Sequence, residues 1–342
     1  MPAQRTEITE IVTGLSMFGY PSIEHALSVQ PPAFAGVESA QYANLLSAFK
    51  NGVARELFET AWRNGTQFAR SAEGLRGRPP WTVEWKGSHR PPGYEQIPAD
   101  LRVDHVYLVS CKYGSNILTN SSPTNLFDRL LADRQDERTD WFVDVALAEY
   151  QNFYEACRSD GLPRRVEQLT PSDRLVLKQY LGRRLPLEAA AAYGEFVAAA
   201  ASASSQRWAA QLVTKSTREQ MVWRLLRLQA APYFVLGQSA EGRRFAVRVE
   251  TPWDLRARYR FLEFEHEADL SRGQPVVNWV ARFRSLETGS DVAVSGHVEV
   301  RWSHGRFAQV PEAKVYLDSP HDKVPGYVAL DMPTDELVLF SV

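Results

Sequence analysis

The sequence predicts a mixed α/β protein with three consecutive parts: an α/β domain over residues 1–135, a helical region over 136–231 and an antiparallel β-rich module over 232–342. Apolar residues recur every three or four positions in the helical segments and every second position in the last part, as in amphipathic helices and half-buried strands respectively. The N-terminal order of helix, strand and hairpin is typical of an α/β domain.

The composition sets limits on the class of protein. A chain of 342 residues has room for about two domains, and 44% apolar with 23% charged residues is ordinary for a globular protein. Two cysteines are too few for a disulfide framework or a four-cysteine zinc site. No apolar run reaches the roughly 18 residues of a membrane span, and no signal peptide is visible. We therefore expect a cytoplasmic protein without a membrane partner.

The first elements are a helix and a strand. Apolar residues form a helical stripe from Tyr42 to Trp62, with Gly52 as a weak point and Asn64-Gly65 as a stop signal. Residues 81–86 are predicted to form a strand, and a proline- and glycine-rich loop is predicted over residues 88–97.

A hairpin follows, with strands over residues 100–103 and 106–113 and a tight turn at Asp104-His105. The second strand begins with an uncharged Val-Tyr-Leu-Val run, which predicts a central strand buried on both faces. Beyond the hairpin, helices are predicted at residues 125–131, 141–158, 171–181, 187–203 and 216–229, and strands at 276–286, 292–302 and 306–317.

The register of the hairpin determines which side chains share a face of the sheet. A two-residue turn places Asp100 opposite Val109 and directs Ser110 and Lys112 to the other face. A three-residue turn pairs Asp100 with Leu108 or Ser110, so that Asp100, Ser110 and Lys112 share one face. The sequence leaves both registers open.

Other carboxylates precede the hairpin. Glu84 lies on the neighbouring predicted strand, and Glu56 and Glu59 lie three residues apart on the preceding helix, roughly on one face. Two or three carboxylates around a dry pocket can bind Mg²⁺ through one or two oxygens each. Such a metal would polarise a phosphate and activate water, and Lys112 would stabilise the developing negative charge.

This arrangement resembles the PD-(D/E)xK nuclease superfamily, which includes many restriction endonucleases and repair nucleases. Residues 97–100 (Ile-Pro-Ala-Asp) correspond to its Pro-Asp element with one residue inserted. Residues 110–112 (Ser-Cys-Lys) correspond to its acid-x-Lys element, with serine in place of the acid. The resemblance covers about residues 50–130.

The resemblance implies a restriction-endonuclease-like core, a mixed sheet flanked by helices, that hydrolyses nucleic acid with Mg²⁺ or Mn²⁺. Asp100 would be a metal ligand, Lys112 the catalytic lysine, and Glu59 (or Glu56) the helix acid that completes the site. Ser110 occupies the position of the missing acid, which Glu84 would supply. We expect an endonuclease acting on double-stranded DNA, in restriction or phage defence, as a homodimer or with a defence-complex partner.

The alternative is a catalytically degenerate nucleic-acid-binding protein, or a scaffold subunit of a defence complex, as Ser110 suggests. Arginine-rich stretches at residues 164–184 and 218–260 suit phosphate contacts, or equally well form solvated helix faces paired with nearby glutamates. The net charge of −2 is not that of a basic nucleic-acid-binding domain. Phosphate-binding-loop, serine-hydrolase and zinc-protease motifs do not occur, which disfavours those classes.

Overall fold

A computed structural model describes residues 2–87, 99–132, 139–181 and 185–331, and shows a mixed α/β protein with two sheets. The predicted loop at residues 88–97 and Pro98 lie outside the described residues. The chain forms two compact units, each with one sheet. The first unit comprises Met1–Asn116, Leu228–Leu255 and His321–Val342, and the second comprises Ile117–Arg227 and Arg256–Pro320.

Helices dominate the first two thirds of the chain and strands the last third. The helices in the described ranges are α1 (Pro2–Ser16), α2 (Ile23–Val29), α3 (Ser39–Lys50), α4 (Arg55–Arg70), α5 (Pro123–Phe127), α6 (Trp141–Cys157), α7 (Pro171–Leu181), α8 (Ala190–Gln211), α9 (Lys215–Leu225) and α10 (Pro252–Arg258). The strands are β1 (Phe34–Ala35), β2 (Val83–Trp85), β3 (Leu101–Val103), β4 (Tyr107–Tyr113), β5 (Ile117–Ser121), β6 (Tyr233–Gln238), β7 (Arg244–Val249), β8 (Tyr259–Asp269), β9 (Val276–Ser285), β10 (Asp291–Arg301), β11 (Glu312–Leu317) and β12 (Tyr327–Ala329).

The helical stripe predicted from Tyr42 onward is two helices rather than one. The chain leaves α3 at Lys50, and Gly52 and Ala54 adopt positive φ values of 71° and 53° before α4 begins. The predicted stop at Asn64-Gly65 is also wrong, because α4 continues to Arg70. A β-carbon at Gly65 would lie 2.0 Å from the Thr13 carbonyl oxygen, so this glycine permits close packing of α1 on α4.

The first unit contains a mixed seven-stranded sheet in the order β1-β2-β3-β4-β6-β7-β12. The central-strand prediction for residues 106–113 is confirmed, because β4 is the fourth of the seven strands, antiparallel to β3 and parallel to β6. Burial on both faces applies only around Val109 and Ser110, while the rest of the strand is half-buried. Strands β6 and β7 come from the C-terminal third of the chain, so the sheet joins distant segments.

The second unit contains an antiparallel five-stranded sheet in the order β5-β11-β10-β9-β8. The period-two patterns correctly predict β9 and β10, which pair in register along their length. The predicted strand from Arg306 is shorter, because β11 begins at Glu312. None of the helices in the described ranges combines the length and apolar character of a membrane span.

Helices α1 and α4 contribute to the core on one face of the seven-stranded sheet. The cluster joins Ile8 of α1 and Phe58 of α4 to buried strand residues that include Val83, Leu101 and Val109. Side chains alternate between the two faces of a strand, so the residues between these apolar positions point to the opposite face. The candidate site lies on that opposite face.

Candidate functional site

The hairpin between β3 and β4 has a three-residue connection. Val103 pairs with Tyr107, which leaves Asp104, His105 and Val106 between the strands. Asp104 and His105 both adopt left-handed φ values, 51° and 60°, and the Val106 N–H donates to the Val103 carbonyl at 3.1 Å. Two successive positive φ values give the type of turn that matches the twist of a hairpin.

Of the two registers that the sequence leaves open, the structure has the one that brings Asp100 and Ser110 opposite each other. Leu101 lies opposite Val109, and the carboxylate Oδ2 of Asp100 accepts hydrogen bonds from the Ser110 hydroxyl at 3.2 Å and from the Cys111 N–H at 2.6 Å. Lys112 is half-buried and lies two residues beyond Ser110 on the same strand, so it shares that face. The structure therefore brings Asp100 and Ser110 into contact and places Lys112 on their side of the sheet.

Glu84 lies on the same face but is held by cations. It is directly opposite Arg102 in the β2–β3 pair, and the guanidinium binds both carboxylate oxygens, with 2.7 Å between Nη2 and Oε1. The Lys86 ammonium is 3.6 Å from the Oε2 atom of Glu84. The hydrogen bond from Arg102 lowers the pKa of Glu84 below its ordinary value. The carboxylate is thus ionised and already paired at neutral pH.

Lys86 is a site residue that the sequence analysis did not select. Its backbone N–H donates to the Asp100 carbonyl at 2.9 Å, and its side chain is only 10% exposed. The available signal was the acid-x-Lys triplet at residues 84–86, which has no aspartate upstream at a hairpin's distance. Asp100 instead follows this triplet in the sequence and lies beside Lys86 across the β2–β3 pair. We use the term hairpin face for Glu84, Lys86, Asp100, Arg102, Ser110 and Lys112.

The structure places Glu59, the predicted helix acid, outside the hairpin face. It lies on α4, where the Nε atom of Arg55 donates to its Oε1 atom at 3.1 Å, and Glu56 is exposed on the same helix. Helix α4 contacts the other face of the sheet, since Asn64 donates to the hydroxyl of Tyr113 at 3.0 Å. Tyr113 alternates with its neighbour Lys112, so the two side chains point to opposite faces.

The donor set fits a divalent cation poorly. The cationic side chains of Lys86, Arg102 and Lys112 lie on the same face of the sheet as the acidic side chains of Glu84 and Asp100. These three cations oppose the binding of a dication beside the two acids and attract an anion. Within the described ranges, no group of three or more His, Cys, Asp or Glu side chains could hold a metal ion. Among the described residues, the predicted ligands Asp100, Glu84 and Glu59 are therefore not brought together into one metal-binding group.

Several arginines in the two arginine-rich stretches make contacts within the second unit. Arg174 is paired with Asp140 at 2.8 Å. Arg224 and Arg227 donate to backbone carbonyls, each at 2.8 Å, and Arg256 is paired with Glu219, also at 2.8 Å. These guanidinium groups help to hold the second unit together, so the arginine-rich stretches alone are weak support for phosphate binding.

Comparisons with protein-family models, curated proteins and solved structures find no match to this chain. The resemblance to the PD-(D/E)xK nucleases therefore rests on the hairpin residues themselves.

Proposed function

We propose that the chain binds nucleic acid, and that the hairpin face contacts phosphate through its cationic side chains rather than through a metal held by carboxylates. One observation carries the proposal: the three cations Lys86, Arg102 and Lys112 lie together on one face of the sheet. Three neighbouring cations attract phosphate, and water and salt screen this attraction less at a half-buried position than in open solvent.

Nucleic acid is the proposed partner because the hairpin resembles that of the PD-(D/E)xK nucleases. A restriction-endonuclease-like core is part of the same proposal, supported by a mixed sheet with the hairpin at its centre. Asp100 has a structural role in this account. Its carboxylate holds the Ser110 hydroxyl and the Cys111 N–H, and so fixes the strand that carries Lys112.

The chemistry of binding follows from the side-chain types. Lysine ammonium groups act as point charges for phosphate oxygens, and the planar guanidinium of Arg102 can offer donors to two oxygens. Because binding releases the cations condensed on the nucleic acid, the affinity should fall steeply with salt. Each phosphate contact contributes about 0.7–0.9 to the slope of log affinity against log salt concentration.

Fluorescence anisotropy with a labelled oligonucleotide tests the proposal. We expect Lys112→Ala to weaken binding about 5- to 100-fold and to reduce the salt slope by about one. Lys50→Ala is the matched control, because Lys50 belongs to the same unit but pairs with Glu24 on an exposed surface. The proposal fails if the wild-type chain does not bind nucleic acid, or if folded Lys112→Ala binds as well as the wild type does.

A second candidate is a metal-dependent endonuclease in restriction or phage defence, acting alone or only within a complex. The observation that favours it is the register of the hairpin, which places Asp100, Ser110 and Lys112 on one face. Incubation with plasmid and either Mg²⁺ or Mn²⁺, beside Lys112→Ala, tests it. Metal-dependent cleavage that the substitution abolishes would establish this function in place of the first.

A further inference from the structure

Two large apolar side chains are exposed at the turn end of the hairpin. Trp81 is 85% exposed and Val106 is 74% exposed. Full burial of an aromatic or branched apolar side chain contributes about 1.5–3 kcal/mol, so the folded chain gains little of this stabilisation at either position. Single exposed apolar residues are common, and exposure alone therefore assigns no role to Trp81.

The backbone of Trp81 is firmly held. The N–H groups of Trp81 and Thr82 both donate to Oδ1 of Asp104, at 2.7 and 3.2 Å, and the Asp104 N–H donates back to the Thr82 carbonyl at 2.9 Å. The Asp104 side chain is only 7% exposed. The indole ring is thus presented to solvent from a fixed backbone, which lowers the entropy that a contact made by this ring would cost.

Arg78 contacts Asp104, which holds the backbone of Trp81, and His105 follows Asp104 in the sequence. Arg78 pairs with Oδ2 of Asp104 at 2.5 Å and neutralises the carboxylate that anchors the backbone of Trp81, while its own side chain stays 46% exposed. The His105 side chain is 66% exposed, and its Nδ1 atom is 3.7 Å from the Oε1 atom of Glu84. This contact connects the turn directly to the hairpin face.

An exposed aromatic ring near a partly exposed arginine suits a nucleobase and its phosphate. Every base has a π-face that stacks on tryptophan, and cationic side chains complement the adjacent backbone. In a duplex both faces of each internal base are already stacked, so a ring at the protein surface can stack only on an unpaired base or a strand end.

We propose that Trp81 stacks on a base of single-stranded nucleic acid whose phosphates contact the hairpin face. This inference rests on the proposed function and makes it more specific, since it names unpaired nucleic acid as the preferred ligand. Arg78 and His105 would lie beside the phosphates that flank the stacked base.

The test measures dissociation constants for a labelled single strand and for the duplex of the same sequence. We expect Trp81→Ala to weaken single-strand binding about 5- to 100-fold and to leave duplex binding unchanged. Trp81→Phe should retain most of the affinity because it keeps an aromatic face. Trp253→Ala is the matched control, since Trp253 belongs to the same unit and is 83% exposed.

The results separate this inference from the proposed function. If Trp81→Ala binds the single strand as tightly as the wild type while Lys112→Ala binds weakly, stacking by Trp81 is refuted and the proposed function stands. Equal losses in Trp81→Ala and Trp253→Ala would also refute stacking at this position. If the wild type binds neither single strand nor duplex, both proposals fall.

Discussion

Removing the negative charge of Glu84 should strengthen nucleic-acid binding. Glu84→Gln preserves the shape of the side chain but removes one negative charge from the hairpin face. A phosphate beside Lys86 or Arg102 would lie about 6–8 Å from the Glu84 carboxylate, and with an effective dielectric constant of about 40–80 Coulomb's law gives about 0.5–1.4 kcal/mol. The dissociation constant should therefore fall by about 2- to 10-fold.

The same substitution should reduce stability. In the wild type, the Glu84 carboxylate accepts hydrogen bonds from both Nε and Nη2 of Arg102, and the substitution removes this ionic partner. Hydrogen bonds to charged groups contribute about 1.5–3 kcal/mol, but the two side chains are 26% and 22% exposed, and water compensates in part. We therefore expect a loss of about 1–2 kcal/mol, or a few degrees in unfolding temperature.

The pH dependence of this loss is also determined by the structure. Arg102 holds the pKa of Glu84 below its ordinary value of 4.5, so the ionised carboxylate stabilises the folded chain at neutral pH. That contribution is lost as the pH falls below 4.5 through the lowered pKa. The difference in unfolding temperature between wild type and Glu84→Gln should therefore shrink in acid.

Anisotropy titrations and thermal unfolding of the same samples measure both effects. Glu59→Gln is the matched control, because Glu59 pairs with Arg55 on α4, away from the hairpin face. It should change neither the affinity nor the stability appreciably, since exposed helix pairs contribute about 0.3–0.5 kcal/mol. Weaker binding by Glu84→Gln would refute the reasoning, because it would show that the carboxylate assists binding, as a metal ligand would.

Three further substitutions test other parts of the structure. His321 is stacked on Phe245, and burial lowers its pKa to about 4. Calorimetry should therefore show that the wild type loses about 1–3 kcal/mol of unfolding free energy between pH 6.5 and 4, and that His321→Phe loses less. Equal losses would contradict this reasoning. Gly237→Ala places a β-carbon 1.8 Å from the Lys112 carbonyl oxygen. Denaturant unfolding should therefore show a loss of at least about 1–3 kcal/mol of unfolding free energy. A variant as stable as the wild type would disprove this close approach. Ser110→Asp adds a buried carboxylate beside that of Asp100. Mg²⁺ should therefore raise the unfolding temperature of the variant and leave that of the wild type unchanged. Identical responses of the two proteins would contradict the charge argument.

Local patterns in the sequence were sufficient to predict the central strand of the seven-stranded sheet. The uncharged run at residues 106–109 predicted a strand at the centre of a sheet, and β4 is such a strand. The pattern is informative because apolar side chains are needed where helices and strands pack. The length of the turn could not be predicted. Asp104 and His105 are not glycines, yet both adopt positive φ, and the extra residue Val106 determines the register.

Local sequence patterns could not predict contacts between neighbouring strands of the sheet. The pairing of Glu84 with Arg102 depends on the register between β2 and β3, and the proximity of Lys86 to Asp100 depends on it too. The parallel pairing of β4 with β6 joins residues more than one hundred positions apart, for which the period-two pattern carries no signal. Sequence therefore indicated the hairpin residues but not the charges that surround them.

The position of the helix acid relative to the hairpin could not be predicted for a related reason. A helical stripe predicts which side of a helix is buried, but not which face of a sheet that side covers. Helix α4, which carries Glu59, packs on the face that carries Tyr113, whereas Asp100 belongs to the hairpin face.

The most direct measurement is the dissociation constant of a labelled oligonucleotide for the wild-type chain, taken once with EDTA and once with Mg²⁺, followed by a denaturing gel of the same samples. Binding through cationic side chains predicts equal affinities at matched ionic strength and an intact strand. Binding that requires Mg²⁺, or a cut strand, would show that a metal acts at this site and would contradict the account.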